Sequence, residues 1–143
     1  MGRYADIDGD VVFVAVASPA PGADWTWTVP ANLLVEIISA HMTFNAVAGG
    51  GTRYPRLLVT GNGRWPLNSP AGRTIAASTS AHIGYHQGMT PFALAGDDAI
   101  VGGLPVGNRF SAGFTIATNT PGITAGDQYA NIGLVVRQWL LPY

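Results

Sequence analysis

Three histidines, a short acidic string and four tryptophans are the residues of this chain best suited to chemistry. His82-Ile83-Gly84-Tyr85-His86 sets two imidazoles four residues apart. On a helix that spacing puts both on one face and suits a zinc ion. Gly84 and Gly88 argue against a helix here. On a strand the two still share a face, but their Cα atoms then lie about 13 Å apart at roughly 3.3 Å per residue. One ion cannot bridge that gap when metal–nitrogen bonds are near 2 Å. His41 can join the pair only through folding. A metal site on barrel strands also needs an acid close by, and Glu36 is the sole Glu. No metal ligand and no cofactor are assigned, and a small metal-dependent barrel enzyme is the third reading in order.

Asp6-Ile7-Asp8-Gly9-Asp10 has the alternating acids of a calcium loop. An EF-hand loop needs Gly at its sixth position and Glu at its twelfth. Counted from Asp6, Gly9 falls fourth and Ala17 twelfth. Asp97-Asp98 would have to come near by folding. Nucleophilic catalysis lacks its parts as well. There is no Gly-x-Ser-x-Gly elbow, no Lys for a Schiff base and no Cys. Glycoside hydrolysis needs two carboxylates across a cleft, and no spacing sets one opposite Glu36. The sequence therefore predicts a protein that is not an enzyme, with no catalytic residue.

The aromatic residues carry more. Asp24-Trp25-Thr26-Trp27-Thr28-Val29 alternates strictly, so Trp25, Trp27 and Val29 share one face. Trp65 sits in a Gly/Pro-rich stretch and Trp139 closes the last regular segment. Such indoles can fill a core, stack on sugar rings, or anchor a protein interface, where Trp, Tyr and Arg are enriched. The candidate interface residues are Trp25, Trp27, Arg53, Trp65 and Trp139, with a core role open for the Trp25/Trp27 pair.

Composition favours a protein partner. Of 143 residues, 48% are hydrophobic and only 10% charged, against roughly 25% charged in an ordinary soluble domain. A surface so poor in charge is weakly solvated on a free monomer, so homo-oligomerisation is expected. Disorder is excluded by the high apolar content. The seven basic residues are all Arg, scattered singly, and the net charge is −1. That gives no basic stripe for nucleic acid. No run approaches the ~20 apolar residues of a transmembrane helix, and no secretory or lipidation signal opens the chain. The expectation is no nucleic acid and no membrane.

The elements that must position these residues read as strands. Val11–Ala17 is an apolar run rich in Val. Leu33–Asn45 is the longest regular stretch, with helix as the rival reading over residues 31–43, and from Ile38 on its even positions are apolar. Arg53–Thr60 is a strand with Leu57 and Val59 inward, and Gly61-Asn62-Gly63 is a hairpin turn. Residues 64–72 read as a loop, because of Pro66, Pro70 and Gly72. Short strands are expected over Arg73–Ser78 and Ala81–Met89, with Ala95–Gly107 turn-rich. Phe110–Thr118 reads as one strand with Phe110, Ala112, Phe114 and Ile116 on one face. Tyr129–Leu140 is the last strand, with Ala130, Ile132, Leu134 and Val136 inward. The sum is an all-β chain of eight or nine strands, an antiparallel β-sandwich of jelly-roll type. Residues 1–10 form an acidic N-terminal arm, loose through residue 9, and residues 11–143 a single domain.

Two stretches resemble a known family. One is the long strand Leu33–Phe44 leading to Gly51-Thr52-Arg53-Tyr54-Pro55-Arg56-Leu57-Leu58-Val59. The other is Leu104-Pro105, then Phe110-x-x-Gly113-Phe114-Thr115-Ile116, then Gly126-Asp127-Gln128, then Leu134-Val135-Val136-x-x-Trp139. Over residues 25–140 their order resembles the small jelly-roll decoration and cement proteins of tailed bacteriophage capsids. The resemblance implies a virion structural protein, made in the host cytoplasm, that assembles as a homotrimer on the major capsid protein. It carries over no functional residue, and Trp25/Trp27 and the histidine segment depart from the pattern. The alternative is a carbohydrate- or receptor-binding sandwich such as a fibre tip.

Overall fold

The computed structural model describes residues 8–93 and 98–141. These residues form eleven strands and no helix: β1 Asp10–Val16, β2 Thr26–Thr28, β3 Leu33–Asn45, β4 Arg56–Gly61, β5 Arg64–Pro70, β6 Ser80–Gln87, β7 Phe92–Ala93, β8 Ala99–Leu104, β9 Arg109–Ser111, β10 Thr115–Asn119 and β11 Gln128–Leu140. The larger sheet runs β1-β11-β3-β6-β8-β7, with β9 also paired to β3. The smaller runs β2-β10-β4-β5. The two pack as a β-sandwich, as the alternation predicts. Val35, Met42, Phe44, Ile83, Tyr85 and Leu134 from the larger sheet share one core with Leu57, Val59 and Ile116 from the smaller. Trp25 is a fully buried member of this core, its indole N–H directed at Met42 Sδ at 3.3 Å.

Two bulges give the long central strands their faces. In β3, Val35 and Ile37 are buried, and so are Ala40, Met42 and Phe44. The parity changes because Val135 and Val136 pair with Ser39 and Ile37, leaving Ile38 as an extra residue. A one-residue bulge turns everything beyond it to the opposite face. In β11, Asn131 and Ile132 together oppose Met42, and Asn131 takes a φ of 51°. Tyr129 therefore points inward before the bulge, and Ile132, Leu134 and Val136 after it, while Ala130 is only half-buried.

Several local expectations are corrected. Residues 64–70 are strand β5, because both prolines lie on the outermost strand of the smaller sheet, where a missing N–H costs no ladder bond. Residues 73–78 hold only an isolated bridge, Ile75 to Arg53. Within 95–107, Ala99–Leu104 is a strand. Gly102 is required there because a Cβ would run into the Tyr85 ring. Phe110–Thr118 is two strands in different sheets, broken at Gly113 with φ 88°. One pair departs from the antiparallel expectation. The chain leaves β6, places β7 outermost and returns as β8 between them, so β8 is parallel to β6. Most of the 1–10 arm lies outside the described residues. Its end is tied down: the Arg137 side chain donates to the Asp8 carbonyl, Gly9 sits against the Trp139 indole, and Asp10 already pairs with Gln138.

Candidate functional site

The most elaborate polar cluster is buried. Arg53 and Asp127 are both wholly enclosed. Arg53 Nε donates to Asp127 Oδ2 at 2.9 Å and Nη2 to Oδ1 at 3.0 Å, a two-pronged ion pair. The Arg53 guanidinium also donates to the carbonyls of Gly51 at 2.7 Å and Gly49 at 3.0 Å, and to Thr124 Oγ1 at 3.1 Å. Asp127 in turn accepts from the backbone N–H groups of Val47 and Thr124, both at 2.9 Å. Burial pulls the Asp127 carboxyl up. The Arg53 hydrogen bond, the two backbone donors and the Arg53 charge outweigh it and hold the group at about 2.

This pair fastens four connections. Arg53 belongs to the β3–β4 connection and Asp127 to the β10–β11 connection. Arg53 N–H and C=O pair with Ile75 of the β5–β6 connection, both at 2.9 Å, and the Asp127 carbonyl accepts from Gly22 of the β1–β2 connection at 2.7 Å. With each guanidinium nitrogen and both carboxylate oxygens bonded to protein and both side chains fully buried, the pair presents no open face to a substrate. Its role is to fix the loops at one end of the sandwich.

A second polar group lies beside it. Asp24 Oδ1 accepts from Thr120 Oγ1 at 2.6 Å, and Thr120 Oγ1 is 2.6 Å from the Tyr129 hydroxyl. Burial pushes the Tyr129 phenol far up, against the opposing Thr120 hydrogen bond. Burial does the same to Tyr85, helped by the charges of Tyr129 and Asp24.

The five candidate interface residues scatter. Trp25 is 1% exposed and belongs to the core, Arg53 is sealed in the ion pair, and Trp139 is 7% exposed. Trp139 is covered from the outer side of the larger sheet, with the Arg109 guanidinium 4.0 Å from its ring. These three offer no surface to a partner. Trp27 is half-buried against the core, and Trp65 is 74% exposed on β5. Of the five, Trp65 alone is largely exposed.

The histidines meet on one face. His82 and His86 both point outward from β6, and His41 of β3 pairs with Gly84 between them. They line an open groove of about 480 Å³ with Thr43, Val101 and Asn131. No group of three or more His, Cys, Asp or Glu among the described residues lies close enough to hold a metal ion. His41 instead stacks on Phe13, ring centroids 5.8 Å apart and 21° from parallel, across Gly133. Asp6 and Asp97 of the acidic candidates lie outside the described residues.

Sequence reasoning missed Asp127 as the partner of Arg53, although both lie in the stretches quoted above. A usable signal was present: Gly49-Gly50-Gly51 just before Arg53 supplies carbonyls that can turn inward. Compared with protein-family models, curated proteins and solved structures, the chain finds no match.

Proposed function

We propose that this chain is a non-enzymatic structural component of a virion, a decoration or cement protein. It stabilises the shell by binding the major capsid protein and copies of itself. The observation that carries the reading is apolar surface on a chain poor in charge. Val11, Phe13, Trp65, Val106 and Leu140 are each more than half exposed, where only 10% of residues are charged. Scattered single apolar residues need no explanation, but a surface with few charges between them favours burial against protein. The strand order adds support. With β7, β8 and β9 set aside, the eight remaining strands run 1-8-3-6 in one sheet and 2-7-4-5 in the other. That order supports reading the sandwich as a jelly roll, eight strands in two sheets. The clamped loop end suits a rigid body that must hold its shape between shell subunits.

The test uses particles from the organism that encodes the chain, made with and without its gene. Particles lacking the chain should release their contents at a lower temperature, and adding purified protein should restore the wild-type value. A chain absent from purified particles, or one that fails to bind on addition, overturns the reading.

Trp65 favours the second reading, a carbohydrate- or receptor-binding module. An exposed indole near a hairpin turn can stack on a pyranose face. Glycan-array binding abolished by Trp65→Ala would establish that role, and no binding by the intact protein would remove it.

A further inference from the structure

The ends of the two sheets are not equally protected. β7 is two residues long, and β2 and β9 are three each. β5 carries Pro66 and Pro70. Short strands and prolines are the usual means of blunting an edge. β1 has none of them. It is seven residues, Asp10-Val11-Val12-Phe13-Val14-Ala15-Val16, without Pro, Gly or Lys, and its only charge is at its start. Among the described residues it pairs with β11 on one side and with nothing on the other. Six of its seven residues are apolar, yet none is buried, and Val11 and Phe13 are 55% and 62% exposed.

We propose that β1 pairs edge to edge with β1 of a second copy of this chain, antiparallel about a two-fold axis. The two larger sheets then become one continuous sheet. The sequence of β1 is complementary to itself in this arrangement. Cross-strand partners must lie on the same face, so the register sum is even. The register that uses the whole strand sets Phe13 opposite its own copy, Val11 opposite Ala15 and Val12 opposite Val14. Apolar and β-branched side chains meet along both faces, the pairs that stabilise sheets best. The two Asp10 side chains fall at opposite ends, about 20 Å apart at roughly 3.4 Å per residue. That exceeds the ~8 Å screening length at physiological salt. The other described edges are only two or three residues long or, in β5, interrupted by Pro66 and Pro70, so pairing of unlike edges between copies is disfavoured. The contact is isologous and closes at two. A three-fold contact of the kind the capsid resemblance implies would need a different surface. The inference stands whether or not the chain belongs to a virion.

The absence of Cys makes the pairing directly testable. Phe13→Cys introduces a single thiol that the two-fold places opposite itself. Directly opposite residues of antiparallel strands have Cα atoms about 4.5–5.5 Å apart, within disulfide range. Under mild oxidation F13C should convert to a reducible dimer, while Trp65→Cys on β5 stays near background. The double variant V11K/F13K adds the charge that natural edges carry. It should reduce the solution mass to one chain while the far-ultraviolet circular dichroism stays that of the folded protein, with a thermal midpoint lowered by loss of the contact. F13C linking no faster than W65C overturns the proposal. So does a V11K/F13K protein that keeps the wild-type mass, or a wild-type mass of one or three chains. If V11K/F13K fails to fold by circular dichroism, the F13C result decides alone.

Discussion

Arg53 shows how misleading a residue's type can be without its partner. An Arg between a glycine run and a proline reads as a surface contact, and it is the most enclosed cation in the described structure. Breaking a buried pair costs more than the pair contributes, because the remaining charge is left uncompensated. Arg53→Ala should therefore lower stability by about 3–5 kcal/mol, read from chemical denaturation. Arg53→Lys should recover only part, since an ammonium cannot reproduce the planar fork. The pair also sets an acid limit. Asp127 is held near 2 in the folded chain, below its ordinary 3.8. Its stabilisation is complete above about pH 4 and is lost as pH falls toward 2, up to about 2 kcal/mol in all. Asp127→Asn should flatten that part of the stability–pH curve. At the alkaline end the sign reverses. The buried phenols of Tyr85 and Tyr129 keep their protons in the folded state, so stability is full below pH 10 and falls above it. Their tyrosinate absorbance should appear only with unfolding. The Tyr85 hydroxyl has no protein hydrogen-bond partner among the described residues. Tyr85→Phe is therefore expected to leave the thermal midpoint equal or higher, and a loss above about 2 kcal/mol would contradict that.

At the scale of elements, the sequence was legible in its longest apolar and β-branched runs. β1, β3, β6 and β11 lie within a residue or two of the expected bounds. The bulges were half visible: the apolar parity beginning at Ile38 is the trace of the extra residue there, but the pairing that makes it a bulge belongs to β11. What failed has a common cause. Proline in β5 and glycine in β8 signal turns locally, while an edge position and the Tyr85 ring make strands of them. The break at Gly113 was hidden because Phe110 and Ile116 are both inward, in two different sheets. Of the candidate site, Trp65 was legible as a surface residue; Trp139 was not, because its cover comes from Arg109 and the chain around Gly9. Two substitutions test the element assignments. Leu134→Ala on β11 should cost about 2–5 kcal/mol, and a change below about 1 kcal/mol would contradict its central place in the core. Asn131→Val should destabilise, whereas Asn131→Gly should be tolerated, because the bulge requires a positive φ.

At the scale of the whole molecule, we propose a rigid sandwich whose β1 edge is completed by a second copy of the chain. Rigidity comes from the loop clamp and the interleaved core, and the incomplete part is the β1 edge. Sedimentation equilibrium of the unmodified chain at micromolar concentration tests this most directly. The predicted result is a mass of two chains of 14.9 kDa each, or a higher even multiple. A single species of 14.9 kDa, unchanged across the concentration range, would contradict it.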